Sequence, residues 1–437
     1  MIDIQLLRDN PQVVKANAER KGVSINTEAI LELDSRIKEL KQKTESVAAK
    51  KNKMSAVIAS ADADQKASLI AEMQELSNSE KTDRAELLEA QERFRELMYA
   101  VPNMISDDVP DGADESENVV IKTVGEIPTF DFEPKDHLQL GKILNCIDTE
   151  KAGDVAGARF TYLKNGAAEL QLALMNFVVD TLTSKETLAS IASDAGINVS
   201  SNPFQFVIPP VMIRPDVYRQ MGRLTDDVQD ERYYLQQDDM YLVGSAEHTL
   251  GPMHMNDLIP ESELPLRYIG YSTCFRREAG SYGKDTKGII RLHQFDKLEM
   301  ETFVKQEDSA TEQDFIVAIQ EYLVQQLGLP YQLIMICTGD MGKMDARQID
   351  LNCWIPTQET YRETHTSDLM TDYQARRLNA RYKSEDGNHY LHMNDATAFA
   401  MSRIIVAILE NNQNADGSVN IPKVLQPYMR GKTVLSA

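Results

Sequence analysis

The chain has 437 residues, too many for one ordinary hydrophobic core, which predicts two or three domains. Its hydrophobic content of 42% and charged content of 26% are those of a soluble globular protein and exclude a disordered or fibrous chain. The net charge of −22 argues against a protein whose whole surface coats nucleic acid, although it leaves room for a local basic stripe.

Four widely separated cysteines with no C-x-x-C pair argue against a disulfide framework or a cysteine zinc site. The N-terminus lacks the pattern of a signal peptide, and no apolar run is long enough to cross a bilayer. We therefore expect a cytoplasmic protein with no membrane partner.

Residues 1–101 predict an N-terminal helical arm. Within it, residues 27–101 contain no Gly or Pro and carry two runs of apolar residues spaced three and four apart, joined near 60–64. This pattern predicts a long antiparallel two-helix coiled coil. Residues 102–135, with four prolines and a cluster of acidic side chains, predict a linker, and residues 136–437 a second domain.

The two helices of the hairpin differ in charge. The second is rich in glutamate, whereas the first is basic, at Arg36, Lys38, Lys41, Lys43, Lys50, Lys51 and Lys53. Opposite charges that flank the seam could hold the helices in register. Alternatively, the basic ridge could bind the backbone of an RNA, which proteins recognise largely by shape. The two roles are compatible.

The second domain alternates helical stretches with short β-rich runs. We expect helices over 166–184, 307–327 and 396–411, and strands over 204–213, 241–244, 266–275, 288–301 and 331–337. Several strands in succession without an intervening helix favour an antiparallel sheet, and hence an α+β domain.

One stretch of this domain suggests chemistry: a strand, a Gly-containing loop and a second strand. Because side chains alternate along a strand, Arg276, Glu278, Arg291, Phe295 and Glu299 are expected on one face. An aromatic ring among guanidinium groups could stack a nucleotide base while the arginines bind its phosphates. An exposed hairpin crossed by Arg–Glu pairs would have the same pattern.

These residues also carry a family resemblance. Phe275-Arg276-x-Glu278-Ala279-Gly280-Ser281, followed by Arg291-x-His293-Gln294-Phe295-Asp296-Lys297-x-Glu299, resembles motif 2 of the seryl-tRNA synthetases of the bacterial or cytosolic type, which are class II aminoacyl-tRNA synthetases. Similar landmarks occur from the opening residues to Leu409-Glu410-Asn411-Asn412-Gln413, so the resemblance covers nearly the whole chain.

The resemblance implies an arm that binds tRNA and a class II catalytic domain, with an antiparallel sheet flanked by helices. It implies a homodimer whose interface includes motif 1, near 166–213. The implied activity is that of a serine--tRNA ligase, which activates L-serine with ATP to seryl-adenylate and then transfers the seryl group to tRNA(Ser).

The resemblance also implies the roles of the nucleotide-binding side chains. Arg276 would bridge the substrate carboxylate and the α-phosphate. Glu278 would hold the adenine amino group while Phe295 stacks on the ring. Arg291 would bind the outer phosphates, and Arg403 would cover the other face of the base and contact the γ-phosphate.

For the amino acid, the resemblance implies that Ser245 and Glu247 bind the ammonium group, that Arg276 binds the carboxylate, and that Glu299 and Thr397 flank the hydroxyl.

Glu363 and Thr366 match the positions linked to Mg²⁺, which arrives with ATP and is suited to a few hard oxygen ligands. The scattered histidines and cysteines indicate no zinc site.

Several positions depart from the family pattern, among them Asp395, His365 and Asn352, the last at a place that is usually acidic. Asp395 stands in the serine pocket where the family usually has Asn, and His365 lies in a stretch that is usually Ser-Ser-Cys-Ser-Asn. The histidine could be a neutral core residue or a new ligand contact. These departures leave open an alternative, a synthetase paralogue with altered amino-acid specificity or another acceptor.

Overall fold

The computed structural model describes residues 1–225, 228–279 and 288–437. Gly280 and Ser281 of the motif quoted above lie outside the described residues. The chain divides into two compact units, Met1–Met104 and Ile105–Ala437. Of the helices in the part of the chain that the structure describes, none is long and apolar enough to cross a membrane.

The first unit is helical throughout. Two short helices, α1 (Ile4–Asp9) and α2 (Pro11–Arg20), precede two long ones, α3 (Thr27–Ser60) and α4 (Ala63–Ala100). Asn26 and Asp62 cap the long helices, since each side chain accepts a hydrogen bond from a backbone N–H in the first turn. The predicted two-helix arm is therefore confirmed.

The seam between α3 and α4 combines apolar and ionic contacts. Ile30, Leu40 and Val47 are buried along α3. Among the described side chains, three ion pairs join the two helices: Lys43–Asp83 at 2.7 Å, Lys51–Glu80 at 2.7 Å, and Arg36–Glu86. Asp83 and Glu80 are themselves buried, so these pairs are polar layers of the seam. The charge difference between the helices therefore contributes to their register.

The second unit contains nine α-helices and eighteen strands within the described residues. The helices are α5 (His137–Ile143), α6 (Thr149–Ala156), α7 (Asn165–Leu182), α8 (Lys185–Asp194), α9 (Pro215–Gln220), α10 (Glu247–Leu250), α11 (Ser309–Gln326), α12 (Tyr373–Leu378) and α13 (Met401–Asn411). The strands are β1 (Val119–Val124), β2 (Ile147–Asp148), β3 (Tyr162–Leu163), β4 (Gln205–Val207), β5 (Met212–Ile213), β6 (Tyr234–Leu235), β7 (Met240–Leu242), β8 (Leu258–Pro260), β9 (Leu266–Phe275), β10 (Gln294–Val304), β11 (Tyr331–Met335), β12 (Arg347–Ile355), β13 (Thr360–Thr371), β14 (Arg381–Lys383), β15 (Asn388–Tyr390), β16 (His392–Ala400), β17 (Val419–Asn420) and β18 (Val434–Leu435).

The centre of this unit is an eight-stranded sheet in the order β1-β11-β12-β13-β16-β10-β9-β4. Its strands pair antiparallel, except that β4 runs parallel to β9. Helix α11 packs against β13 and β16, and helix α13 against β10 and β12. The α+β fold with a helix-flanked antiparallel sheet is therefore confirmed.

Two predicted elements of this unit are wrong at their edges. The helix expected over 396–411 begins only at Met401, since 396–400 complete β16. Alanine favours a helix, but this segment is buried and pairs with β10 and β13, so tertiary pairing overrides propensity. The strand expected over 288–301 begins only at Gln294.

Two other segments also differ from expectation. The run 204–213 divides into β4, in the central sheet, and β5, which pairs with β7 in a small separate sheet. The segment 102–135, expected to be a linker, contains β1, which pairs with β11 at the edge of the central sheet. The β-branched residues Val119, Val120 and Ile121 suit a strand better than a linker.

Candidate active site

One face of β10 forms the floor of a cavity. Phe295, Lys297 and Glu299 occupy every second position of this strand, so they share one face, and all three line the cavity. The neighbouring strand β16 contributes Thr397, which lies opposite Glu299 in the strand register. These side chains divide the floor into an aromatic end and a charged end.

The aromatic end carries three arginines. The guanidinium of Arg276 lies over the Phe295 ring, 5.4 Å from its centroid. Arg291 pairs with Glu278 at 3.0 Å, and Arg403 lines the same cavity from α13. The cavity therefore joins an aromatic plate to cations that could bind phosphate groups.

The sequence argument brings Arg276, Glu278 and Arg291 into one site correctly, but for an incorrect reason. Arg291 precedes β10, and Arg276 and Glu278 follow β9, so strand alternation does not position them. Glu278 has a positive φ of 51°, in the left-handed region. The backbone N–H of Arg276 donates to the carbonyl of His293 at 3.0 Å, which extends the β9–β10 ladder by one contact.

Arg403 and Glu363 form an ion pair across the cavity, with 2.7 Å between Nη1 and Oε1. Arg403 lies beside Glu363, and the pKa of this half-exposed carboxyl is lowered. A charged carboxylate next to cations is able to take part in binding a metal–phosphate group.

Thr366 lies on the same strand as Glu363, and its hydroxyl donates to Asp350 Oδ1 at 2.9 Å. That donation directs the hydroxyl proton toward Asp350, so an oxygen lone pair remains for a ligand. Burial, with Glu363 nearby, raises the pKa of Asp350 to about 8. A carboxylate and a hydroxyl are hard oxygen ligands of the type that Mg²⁺ takes, so the pair fits the ion. Among the described residues, no group of three or more His, Cys, Asp or Glu could hold a metal by itself.

The charged end is centred on Lys297, a buried lysine. Its Nζ lies 2.7 Å from Glu299 Oε2 and donates to the hydroxyl of Ser245 at 3.0 Å. Ser245 precedes α10, whose first residue is Glu247. Ser245 does not itself line the cavity, but Lys297 links it to the residues that do.

The two glutamates at this end have opposite pKa shifts. Burial raises the pKa of Glu299 to about 8, despite the attraction of Lys297. Burial also acts on Glu247, but the nearby His248, Lys297 and Arg223 lower its pKa overall. Glu247 is therefore anionic near neutral pH and suited to an ammonium group, whereas Glu299 can carry a proton.

Asp395, a departure noted in the sequence, lies at the charged end of the cavity and forms an ion pair with Arg223. Burial raises the pKa of Asp395 to about 6, against the attraction of Arg223. The negative charge that this residue adds is therefore compensated within the protein.

Another departure, His365, does not line the cavity. Its Nδ1 lies 2.8 Å from the hydroxyl of Thr364, and its ring packs edge-on against Phe399. Burial lowers the pKa of His365 to about 3, so the ring is neutral. Of the two interpretations left open by the sequence, the structure supports the core histidine.

The structure brings Glu247, Arg276, Glu278, Arg291, Phe295, Glu299, Glu363, Thr366, Asp395, Thr397 and Arg403 into one cavity. It adds residues that sequence reasoning missed, chiefly Lys297 and Arg223. Alternation along β10 could have identified Lys297, which stands between Phe295 and Glu299. Nothing in the local sequence marks Arg223, because it reaches the cavity from a distant loop after α9.

The basic residues of the arm fall into two groups. Arg36, Lys43 and Lys51 form the ion pairs of the seam. Exposed side chains that form no ion pair within the described residues make up the second group: Lys38, Lys41, Lys50 and Lys53. Of these seven residues of α3, the second group can contact a polyanion without breaking the seam.

Comparisons with known proteins agree with this geometry. The family model described as the seryl-tRNA synthetase N-terminal domain matches residues 1–105, and that of the tRNA synthetase class II core domain (G, H, P, S and T) matches residues 231–412. A serine--tRNA ligase from Clavibacter michiganensis is 40% identical over 436 residues, with 100% of this chain and 98% of the relative covered. One from Bifidobacterium adolescentis is 39% identical over 440 residues, with the same coverage, 100% and 98%.

A solved structure shows the same likeness. The crystal structure of a seryl-tRNA synthetase from Pyrococcus horikoshii in complex with ATP has a TM-score of 0.86 and 33% sequence identity, with 100% of this chain and 99% of that chain covered.

Proposed function

Because this chain belongs to the seryl-tRNA synthetase family of class II aminoacyl-tRNA synthetases, we propose that the cavity on β10 is where it activates serine. The protein is a serine--tRNA ligase: it joins serine to ATP as seryl-adenylate, releases pyrophosphate, and transfers the seryl group to tRNA(Ser). The alternative of a paralogue with another specificity is not favoured, since the relatives match over the full chain and Asp395 is already paired.

The main support for this assignment is the position of Arg276, which links the aromatic end of the cavity to the charged end. Arg276 lies over Phe295 at the aromatic end, and its Nε donates to the Gly244 carbonyl at 2.9 Å, next to Ser245. A guanidinium in this position can neutralise both the serine carboxylate and the α-phosphate as they approach. Its contribution to the reaction is positioning and charge neutralisation, which dominate catalysis at phosphorus.

Each remaining side chain of the nucleotide end has a proposed role. Phe295 stacks the adenine ring, and Glu278 accepts from its amino group. Binding of ATP would exchange the Arg291–Glu278 pair for contacts of Arg291 with the outer phosphates. Arg403 covers the other face of the base and contacts the γ-phosphate.

At the amino-acid end, Glu247 binds the ammonium group of serine, and Ser245 acts behind it through its hydrogen bond from Lys297, while Glu299 and Thr397 flank the serine hydroxyl. Glu299 can offer a proton or accept one, since its pKa is raised to about 8 by burial. Discrimination through buried polar partners is strong, because an amino acid without the hydroxyl leaves them unpaired.

Glu363 and Thr366 would hold Mg²⁺ together with the phosphates of ATP. When bound, the ion supplies neutralisation of phosphate charge. The protein's part is to keep Glu363 ionised, through Arg403, and to orient the Thr366 hydroxyl through Asp350.

We propose that the unit Met1–Met104 binds tRNA(Ser) through the exposed lysines of α3, and that the unit Ile105–Ala437 carries out catalysis. A cytoplasmic location stays a prediction.

We also propose a homodimer built on the segment of motif 1. Its support is the exposure of large apolar side chains there: Leu172 is 55% exposed, Phe206 40% and Ile208 75%. Sedimentation equilibrium should give a dimer for the wild type and a monomer for Ile208→Asp, and a monomeric wild type would contradict the proposal.

The reaction itself is tested with purified protein, ATP, Mg²⁺, labelled serine and tRNA(Ser). We expect serine-dependent pyrophosphate exchange and acylated tRNA. A variant without residues 30–98 should retain the exchange and lose most of the acylation. If the wild type gives neither product, the proposed function is wrong.

A further inference from the structure

Three acidic side chains form a row across three neighbouring strands at the charged end of the cavity. Asp395 on β16 lies opposite Glu301 of β10 on one side and opposite Asp368 of β13 on the other. Residues paired in this way project from the same face of a sheet. All three are buried, with exposures of 0% for Glu301, 3% for Asp395 and 6% for Asp368.

Arg223 faces this row from the loop after α9. Its guanidinium forms an ion pair with Asp395 and lies 3.9 Å from Asp368 Oδ2. Its side chain is 17% exposed and lines the cavity beside Asp395 and Asp368.

The polar groups around the row are not all hydrogen-bonded. Neither carboxylate oxygen of Glu301, nor Nε of Arg223, has a hydrogen-bond partner in the described parts of the chain. The pKa of Glu301 is raised well above its ordinary value by burial and by Asp395. Arg223 thus contacts two of the three buried carboxyl groups, and Glu301 can hold a proton, so the row favours a cation at the position of Arg223.

The row lies beyond the proposed serine site. Glu301 follows Glu299 by two residues on β10, which is about 7 Å farther from the aromatic end. Arg223 therefore stands at the far end of the amino-acid pocket, where a side chain longer than that of serine would extend.

We propose that Arg223 is a specificity-determining residue that occupies the cation position created by Glu301, Asp395 and Asp368 and so closes the amino-acid pocket. The inference rests on the proposed activation of serine in this cavity. The guanidinium excludes longer side chains by its volume and repels those that carry an ammonium group. Without it, the same row would attract them.

The test is amino-acid-dependent pyrophosphate exchange by the Arg223→Ala variant, with L-serine, L-2,4-diaminobutyrate and L-ornithine as substrates. For serine, we expect kcat/KM to fall about tenfold or more, because the buried carboxyl groups lose their cation. For at least one cationic amino acid, we expect kcat/KM to rise about tenfold over the wild type. The KM for ATP should stay within about twofold, since Arg223 lies at the opposite end of the cavity.

Two controls accompany this variant. Arg223→Lys keeps a cation and should still reject both cationic amino acids. Arg219→Ala removes an exposed arginine of α9, one turn earlier, and should leave every parameter unchanged. A general loss of stability would lower exchange with all substrates together and could not create a preference for cationic ones.

The inference is overturned if Arg223→Ala retains the wild-type order of preference among the three amino acids. If this variant does not fold, Arg223→Ala combined with Asp395→Asn removes one uncompensated carboxylate. It should then gain exchange with L-homoserine, which is neutral and longer, and no gain would equally overturn the inference. A wild type without serine-dependent exchange would instead refute the proposed function.

Discussion

Replacement of Lys297 by methionine removes the cation between the two glutamates of the serine site while conserving most of the side-chain volume. The ammonium lies 2.7 Å from Glu299 and donates to Ser245 at 3.0 Å. Once Glu299 is ionised, above its pKa of about 8, its attraction to Lys297 at an effective dielectric constant of about 20 is roughly 6 kcal/mol before desolvation, so the variant is assayed at pH above 8. Loss of one partner of a buried pair has a net cost of about 3–5 kcal/mol.

If that cost falls on serine activation, kcat/KM for serine decreases by about two to three orders of magnitude. The assay is serine-dependent pyrophosphate exchange at saturating ATP, with melting temperature measured in parallel so that loss of folded protein is counted separately. Lys305→Met is the matched control, because Lys305 lies just after β10 and pairs with Glu307 at 3.0 Å outside the cavity. A Lys297→Met enzyme that keeps kcat/KM for serine within about threefold would refute this account of the charged end.

Three further predictions concern the arm, the pH dependence and the metal. The double variant Lys41→Glu, Lys50→Glu should raise the KM for tRNA about tenfold or more without changing pyrophosphate exchange. Lys51→Met should chiefly lower the melting temperature of the arm, because Lys51 belongs to the seam. Equal effects of the two variants on the KM for tRNA would contradict the division between free and seam lysines. Since burial raises the pKa of Glu299 to about 8, the folded state binds a proton more tightly than the unfolded state, so the free energy of unfolding should decrease from about pH 5 to pH 8. Urea denaturation of Glu299→Gln should show a smaller decrease over that interval, and an unchanged slope would contradict the raised pKa. Glu363→Gln should raise the Mg²⁺ concentration at half-maximal exchange by about tenfold or more, and an unchanged Mg²⁺ requirement would remove Glu363 from the metal site.

The sequence predicts the arm well because the determinants of a hairpin are local. Apolar spacing, the absence of Gly and Pro, and complementary charges are all readable along each helix. The charge difference between the two helices has a structural counterpart, since Lys51 pairs with Glu80 across the seam. Which basic side chains remain free is not readable, because it depends on the register of the two helices.

The catalytic unit is less predictable because its site is assembled from separate segments. The alternation of side chains along β10 correctly predicts that Phe295 and Glu299 lie on one face. Arg291 lines the same cavity, but it lies outside the strand. Residues 396–400 have an alanine-rich composition typical of a helix but are held as a strand by pairing with β10, and at Ala396 also with β13. The role of Arg223 could not be predicted from the local sequence, because its partners Asp368 and Asp395 lie far along the chain.

The central claim is that one cavity holds a nucleotide and serine joined through Arg276. The most direct measurement is calorimetric titration with a non-hydrolysable sulfamoyl analogue of seryl-adenylate, alongside the alanyl analogue. We predict one site per chain, weaker binding of the alanyl analogue by about tenfold or more, and a loss of about a hundredfold for the seryl analogue with Arg276→Ala. Equal affinity for both analogues, or unchanged binding by Arg276→Ala, would contradict the account.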